Sequence, residues 1–281
     1  MPMRTGELAN IDDGEVAQIV ESAEINAYTD YYDAAPPEVA AEYGLKLERV
    51  EEASLLFGPK LHSVLFNRAL GLGLAAPTSE AAVGAVVEAF RAAGSPSFAV
   101  QVSPLARPPT LPSWLEARGL RVVGRWAKVI RGAEPPPRMS TDLRIEQVGP
   151  RLSALFGQVA VEAFGMPEGL GPWLAAIVGR PSWRAYVARD GDQVVATGAL
   201  FVRGDVGWLG VGATLPSHRR RGAQGALMAR RIEDAAELGC RWLVTETGED
   251  KPERPNPSFH NMARAGFQLA YLRLSFEPVA E

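Results

Sequence analysis

Cysteine is nearly missing from this sequence: Cys240 is the only one in 281 residues, so no internal disulfide can form. It lies where a helical run passes into a strand-like one and reads as a buried thiol, not a nucleophile. Histidine is almost as scarce. His62, His218 and His260 come without the Cys, His or carboxylate spacing of a metal site, so no metal is expected. Positive charge is not in excess either: the formal net charge is −4, which argues against a general polyanion binder and hence against a nucleic-acid partner. No apolar run approaches the roughly 18 residues of a membrane span. The first residues, Met1 to Asp13, lack the apolar core of a signal peptide. The expectation is a soluble, cytoplasmic protein without membrane partners.

What is present is enough apolar material to fold, with 47% hydrophobic and 22% charged residues. The chain is interrupted once, at "RGAEPPPRMST" from Arg131 to Thr141. Consecutive prolines neither continue a helix nor donate to a sheet ladder, so this stretch reads as a linker. It separates residues 1–135 from residues 141–281.

Beyond the linker the pattern is regular. Leu143 to Gly149 alternates like a strand, "RLSALFGQVAVEAFG" has helical apolar spacing up to Gly165, and "GPWLAAIVGR" suggests a second short helix. Three β-rich runs follow, with Asp190-Gly191-Asp192 and Gly204-Asp205 as turns that favour antiparallel neighbours. A helix is expected from about Arg221 to Leu238, closed by Gly239, then the strand "RWLVTET", the short helix in "NPSFHNMARAGF" and a last strand "QLAYLRLSFEP". This order implies an α/β fold, with helices on both faces of a mixed, mostly antiparallel sheet.

The N-terminal half repeats the later part of that order. "HSVLFNRALGLGLAAP" matches "DVGWLGVGATLP" in character, and helix, strand, short helix and strand follow in both. Gly94 and Gly119 lie 25 positions apart, Gly239 and Gly266 27, as an internal duplication would leave them. The run from Asp12 to Tyr43 precedes the repeat and reads as helical and acidic, placed either to close over a cleft between the halves or simply to pack.

One stretch carries chemistry. In "HRRRGAQGALM" three arginines and two glycines stand where a strand passes into a helix. The first N–H groups of a helix have no intrahelical partner and carry partial positive charge, so glycine and arginine there suit a pyrophosphate. Neither the GxxxxGK[ST] nor the GxGxxG spacing is present. The stretch resembles the acyl-CoA pyrophosphate loop, [RQ]-x-x-G-x-[GA], of the Gcn5-related N-acetyltransferase (GNAT) superfamily, with Arg219 and Gly222 at the first and fourth positions and Gln224 departing from the small residue usual at the sixth. "NPSFHNMARAGF" is similar to a later segment of that superfamily, at Asn256, Ser258 and Gly266-Phe267.

The resemblance implies two acetyltransferase-like domains in tandem and transfer of an acetyl group from acetyl-CoA to a primary amine of a small molecule or protein. It also implies a strand, Gly210 to Leu215, splayed from its neighbour, where the backbone of Ala213, Thr214 and Leu215 would bond the pantetheine arm. CoA contacts would come from Arg219, Arg220, Arg221, Gly222, Ala223, Gln224, Asn256 and Ser258. For Asn256 a plain helix cap is an equal alternative. Glu246, near the C-terminal end of the strand after the loop helix, is the candidate base, directly or through a water, with a strand-end carboxylate satisfied by a nearby Arg as the alternative. The family's usual tyrosine is replaced by Met262, which leaves Tyr271, or Tyr186, as the phenol in reserve and keeps a non-catalytic acyl-CoA-binding module as the alternative. Opposite the arginine loop the N-terminal half has "PTSEAAVG", with Glu80 and no arginine, so that half is expected to be degenerate and to lack CoA. The acceptor is not legible, and a homodimer is left open.

Overall fold

The computed structural model describes residues 5–279. Two helices, α1 (Asp13–Asp33) and α2 (Pro37–Tyr43), come first. They are followed by β1 (Lys46–Val50), β2 (Ala53–Phe57), β3 (Arg68–Leu70), α3 (Glu80–Ala92), β4 (Ala99–Val102), α4 (Leu111–Glu116) and β5 (Leu120–Gly132). After the proline linker come β6 (Arg144–Gln147), α5 (Ser153–Phe164), α6 (Gly171–Ala175), β7 (Trp183–Asp190), β8 (Gln193–Arg203) and β9 (Val206–Thr214). The chain ends with α7 (Ala223–Glu237), β10 (Trp242–Gly248), α8 (Pro257–Arg264) and β11 (Gln268–Pro278).

All eleven strands form one sheet, in the order β1-β2-β3-β4-β11-β5-β10-β9-β8-β7-β6. The two sheets expected from the repeat are therefore continuous. The reason lies at the centre: β5 is hydrogen-bonded to β10 on one side and to β11 on the other, while β11 lies between β5 and β4. Each half thus lends its last strand to its counterpart. Outward from the β5–β11 pair the arrangement is palindromic, each side having an antiparallel neighbour and then a parallel pair, β10–β9 or β4–β3.

Alternation along the strands assigns the layers. On β7, Trp183, Ala185 and Val187 join the core beneath α1, α5 and α6, whereas Tyr186 and Ala188 face the core beneath α7. In the N-terminal half Leu56 belongs to the α1 side, and Leu55 and Phe57 pack with Val83, Val86 and Phe90 of α3. Helix α1, with Val16, Val20, Ala23 and Ala27 buried along one stripe, crosses the join and touches β1, β5, β8, β9 and β10. Among the described residues no helix is long and apolar enough to cross a membrane.

Candidate functional site

Parallel pairing of β9 with β10 covers Val206 to Trp208 against Trp242 to Val244 and then stops, although both strands continue. The expected splay is present. Its apex is fixed by the Thr245 hydroxyl, which donates to the Leu209 carbonyl at 2.7 Å. Beyond it the edge of β9 that faces β10 has no strand partner. On the other edge Ala199 pairs with Gly210 and Thr197 with Ala213, so Val211 and Gly212 oppose the single residue Gly198. This is a β-bulge, and Val211 takes the left-handed φ of 51° there. Gly210, Val211 and Gly212 line the resulting cleft. Ala213, Thr214 and Leu215 continue toward the arginine loop, with the Leu215 N–H bonded to the Val195 carbonyl and the Ala213 carbonyl accepting from Gln224.

The arginine loop divides its charges. Arg219 and Arg220 are exposed and form no ion pair with a described residue; Arg219 Nε only reaches the Thr214 carbonyl, at 3.4 Å. Arg221 is committed elsewhere, bonded to Asp142 at the linker's end and to Asp190 in the β7–β8 turn. The hydrogen bonds it donates to Asp190 and Asp142 raise its pKa. Gly222, with φ 81°, is the N-cap of α7 and offers no side-chain acceptor. A Cβ there would collide with the Ser140 carbonyl, so the glycine is demanded by the linker crossing the loop as well as by the left-handed turn. The first intrahelical bond runs from the Ala226 N–H to the Gly222 carbonyl, which leaves the amides of Ala223, Gln224 and Gly225 outside the helix ladder. The side chain of Gln224 turns back onto the sheet, donating to the Ala213 carbonyl at 2.8 Å and the Thr214 hydroxyl at 3.0 Å. It therefore does not crowd those amides.

Asn256 is a cap. Its Oδ1 accepts from the amides of Ser258 and Phe259, and its Nδ2 donates to Thr247 Oγ1 and the Gly248 carbonyl, which ties α8 to the end of β10 across the splay. Ser258, Asn261 and Met262 of α8 then face the cleft.

The cleft has a volume of about 310 Å³. Glu246 stands in its wall, where Oε2 accepts from Lys128 Nζ at 3.0 Å and Trp208 Nε1 at 3.1 Å, and Oε1 takes no hydrogen bond from a described residue. The Trp208 ring lies across the backbone of Gly210, where any Cβ would strike it. Tyr28 meets Trp208 edge-on at 5.5 Å, and Trp183 meets it edge-on at 6.2 Å. Burial pushes the Tyr28 phenol up to about 12, against the opposing charge of Arg68. Arg231 also lines the cleft, fully enclosed, bracing the bulge through bonds from Nη1 to the carbonyls of Ala199 and Gly210. Burial lowers its pKa to about 10. Sequence reasoning missed Tyr28, Lys128, Arg231 and Asn261. For Lys128 and Arg231 a signal existed, a cation set in the apolar stretches "WAKVI" and "LMARRI".

Tyr271 is not brought to the cleft. It is buried, and its hydroxyl donates to Glu21 Oε1 at 2.7 Å. Burial, with Glu21 adjoining, raises its pKa well above the ordinary phenol value. Tyr186 is equally remote, its hydroxyl donating to Asp234 on the α7 side of the sheet.

The matching slot of the N-terminal half is closed by the protein itself. The Arg107 N–H donates to the Gly73 carbonyl at 2.7 Å, and the Arg107 carbonyl accepts from Thr78 N–H at 3.0 Å, so this segment bonds the stretch that the sequence pattern aligns with Gly210 to Leu215. At the start of α3, Ser79 Oγ caps the Ala82 N–H while Glu51 accepts from the hydroxyls of Thr78 and Ser79. A carboxylate already answers that helix dipole.

Residues 160–266 match the model of the acetyltransferase (GNAT) family. None of the curated proteins matches the sequence. Among solved structures, the chain is similar to a GCN5-related N-acetyltransferase from Kribbella flavida, with TM-score 0.62, 17% identity and 96% of each chain covered. A GCN5-related N-acetyltransferase from Sphaerobacter thermophilus gives TM-score 0.60 and 18% identity over 93% of this chain and 92% of that one. A tandem GNAT protein from the clavulanic acid biosynthesis pathway gives TM-score 0.52 and 16% identity over 75% and 73%. At these identities the likeness is one of fold.

Proposed function

The chain carries an acetyltransferase domain of the GNAT family over residues 160–266, and from that premise we propose that it moves an acetyl group from acetyl-CoA to a primary amine by direct attack. The observation that carries this reading is the splay between β9 and β10, with a carboxylate on one strand and an edge that no strand covers on the other. The pantetheine arm would lie along the free edge of β9, in the manner of an added strand. The pyrophosphate would rest on the first amides of α7, with Arg219 and Arg220 answering its charge. Glu246 Oε1, directly or through a water, would take the proton from the incoming ammonium. The amine nitrogen then forms a bond to the thioester carbon, the C–S bond breaks and CoA leaves as thiolate; the second proton, shed by the nitrogen as the amide forms, passes to that thiolate or to water, and the low basicity of the leaving group removes the need for an acid at the Met262 position. No step calls for a metal, and no metal-binding cluster is found among the described residues.

On this reading residues 1–135 form the degenerate half and residues 141–281 the half that binds acetyl-CoA. The plugged slot beside Gly73 and the carboxylates at α3 support it. Calorimetric titration is expected to give one acetyl-CoA per chain; two would overturn the assignment. Arg219→Ala and Arg220→Ala should each weaken binding by about tenfold, the loss of a charge-assisted contact. Arg221→Ala should weaken it less than threefold, because that guanidinium is held by Asp142 and Asp190. Met262 favours one other reading, a non-catalytic acyl-CoA-binding module. Release of free thiol dependent on an added amine would dispose of it.

A further inference from the structure

The cleft is built by both halves. Gly210 to Gly212, Ser258 and Met262 line it along the splay, and Tyr28 and Tyr31 of α1, Trp183 and Trp208 form a contiguous aromatic wall beside α1, with Phe66 and Trp126 also in the lining. We infer that the acceptor lies against this wall, and that the acceptor is an amine on a compact aromatic or similarly flat apolar body that bears no acidic group and no second positive charge. The inference rests on the acyl-transfer reading.

Charge complementarity carries the argument. Among the described residues, Glu246 is the sole carboxylate lining the cleft and Lys128 already bonds it, so a second positive charge on the acceptor would be desolvated without a counter-charge. A polycationic amine is thereby disfavoured. An amino acid or other acidic amine fares no better. The one cation in the lining, Arg231, has Nε on the Leu227 carbonyl and Nη1 on the carbonyls of Ala199 and Gly210, at the far side of the bulge. A carboxylate against the aromatic wall would instead meet the electron-rich faces of indoles and phenols. Those faces suit the opposite kind of guest: an ammonium, which the ring quadrupoles attract, followed by a flat ring that stacks or packs edge-on. The rings are already ordered for this. Tyr31 is stacked on Trp173 at 4.3 Å, and the indole N–H groups of Trp173 and Trp183 are bonded to the Tyr31 carbonyl and to Asp30. Those N–H groups are therefore satisfied within the protein, and Arg68 already lies over the Tyr28 ring at 4.3 Å, which leaves the remaining rings of the wall to take the guest. A volume of about 310 Å³, at the lower end for small-molecule sites, limits the guest to a compact one.

The test uses the full chain. Acetyl-CoA binding is measured first by calorimetry, and turnover is then followed by thiol release with 2-phenylethylamine, tryptamine, kanamycin, L-glutamate and a tetrapeptide with a free amino terminus. The expected result is a kcat/KM for the two arylalkylamines at least tenfold above the other three. Tyr28→Leu on α1 and Trp126→Leu on β5 should each raise KM for 2-phenylethylamine about tenfold, more than they lower kcat, and leave the acetyl-CoA affinity unchanged. If acetyl-CoA binds and kanamycin, glutamate or the peptide is preferred, or if neither arylalkylamine is acetylated, the acceptor class is wrong while the donor assignment stands. If acetyl-CoA fails to bind, the acyl-transfer reading falls and takes this inference with it.

Discussion

Glu24→Leu is expected to cost about 3–5 kcal/mol of folding stability, and to lower the thermal midpoint by about 10 °C for a chain of this size. Glu24 is fully buried on α1 and faces three cations. Lys128 Nζ is 2.8 Å from Oε2, Arg68 Nη1 is 3.3 Å from Oε1, and Arg273 holds both oxygens. With Glu21 and Glu246 the cluster balances three positive charges against three negative ones, all with little or no exposure. Removing Glu24 leaves Arg68 without its carboxylate and the cluster with a net charge in a place water does not reach. Glu24→Gln, which keeps the shape and loses the charge, should behave almost as badly.

The same group sets a pH dependence. Burial alone would raise the Glu24 pKa, but Arg273, Lys128 and Arg68 outweigh it and hold the carboxyl well below its ordinary value. A folded pKa below the unfolded one, which is about 4.3, means stability that is complete above that value and is lost as pH falls toward the folded pKa. In denaturant titrations the gap between wild type and Glu24→Leu should be widest above about pH 5 and narrow on acidification. A gap that stayed constant to low pH would show that packing, not charge, is what the substitution removes.

Glu246→Gln should lower kcat by roughly 10²- to 10⁴-fold while the dissociation constant of acetyl-CoA stays within twofold. The amide oxygen can still accept from Lys128 and Trp208, and Lys128 keeps Glu24, so the cleft should hold its shape. What disappears is the carboxylate's ability to take a proton. A fall of less than threefold at neutral pH would mean that the ammonium loses its proton elsewhere. Tyr271→Phe separates the two phenomena: its hydroxyl touches Glu21 and not the cleft, so it should affect unfolding and not turnover.

Much of the C-terminal half could be read from the sequence because its signals are local. Gly165 ends α5, the Asp-Gly turns set β7 against β8, and α7 begins beside the glycine that the loop pattern marks. The splay was also anticipated, at the segment where pairing does stop. Less legible was anything decided by distant chain. Alternation in "RVVGRWAKVIRG" and "QLAYLRLSFEP" gives the faces of β5 and β11 but says nothing of which strands flank them. Their exchange thus left no local trace. Tyr271 was misplaced for the same reason: its partner, Glu21, is 250 residues away, on a helix that the pattern did not dock. Arg221 and Gln224 fit a ligand-binding pattern by position, yet Asp142, Asp190 and the Ala213 carbonyl claim their side chains.

The lending of β5 and β11 makes the proline linker dispensable for cohesion. A protease nick between Pro135 and Pro137 would yield two fragments, one carrying β5 inside the other's sheet and the other carrying β11 in return, so they should still co-elute on gel filtration in native buffer and part only in denaturant. Neither fragment is a module that can be moved alone. The covalent boundary and the folding boundary of this protein lie in different places.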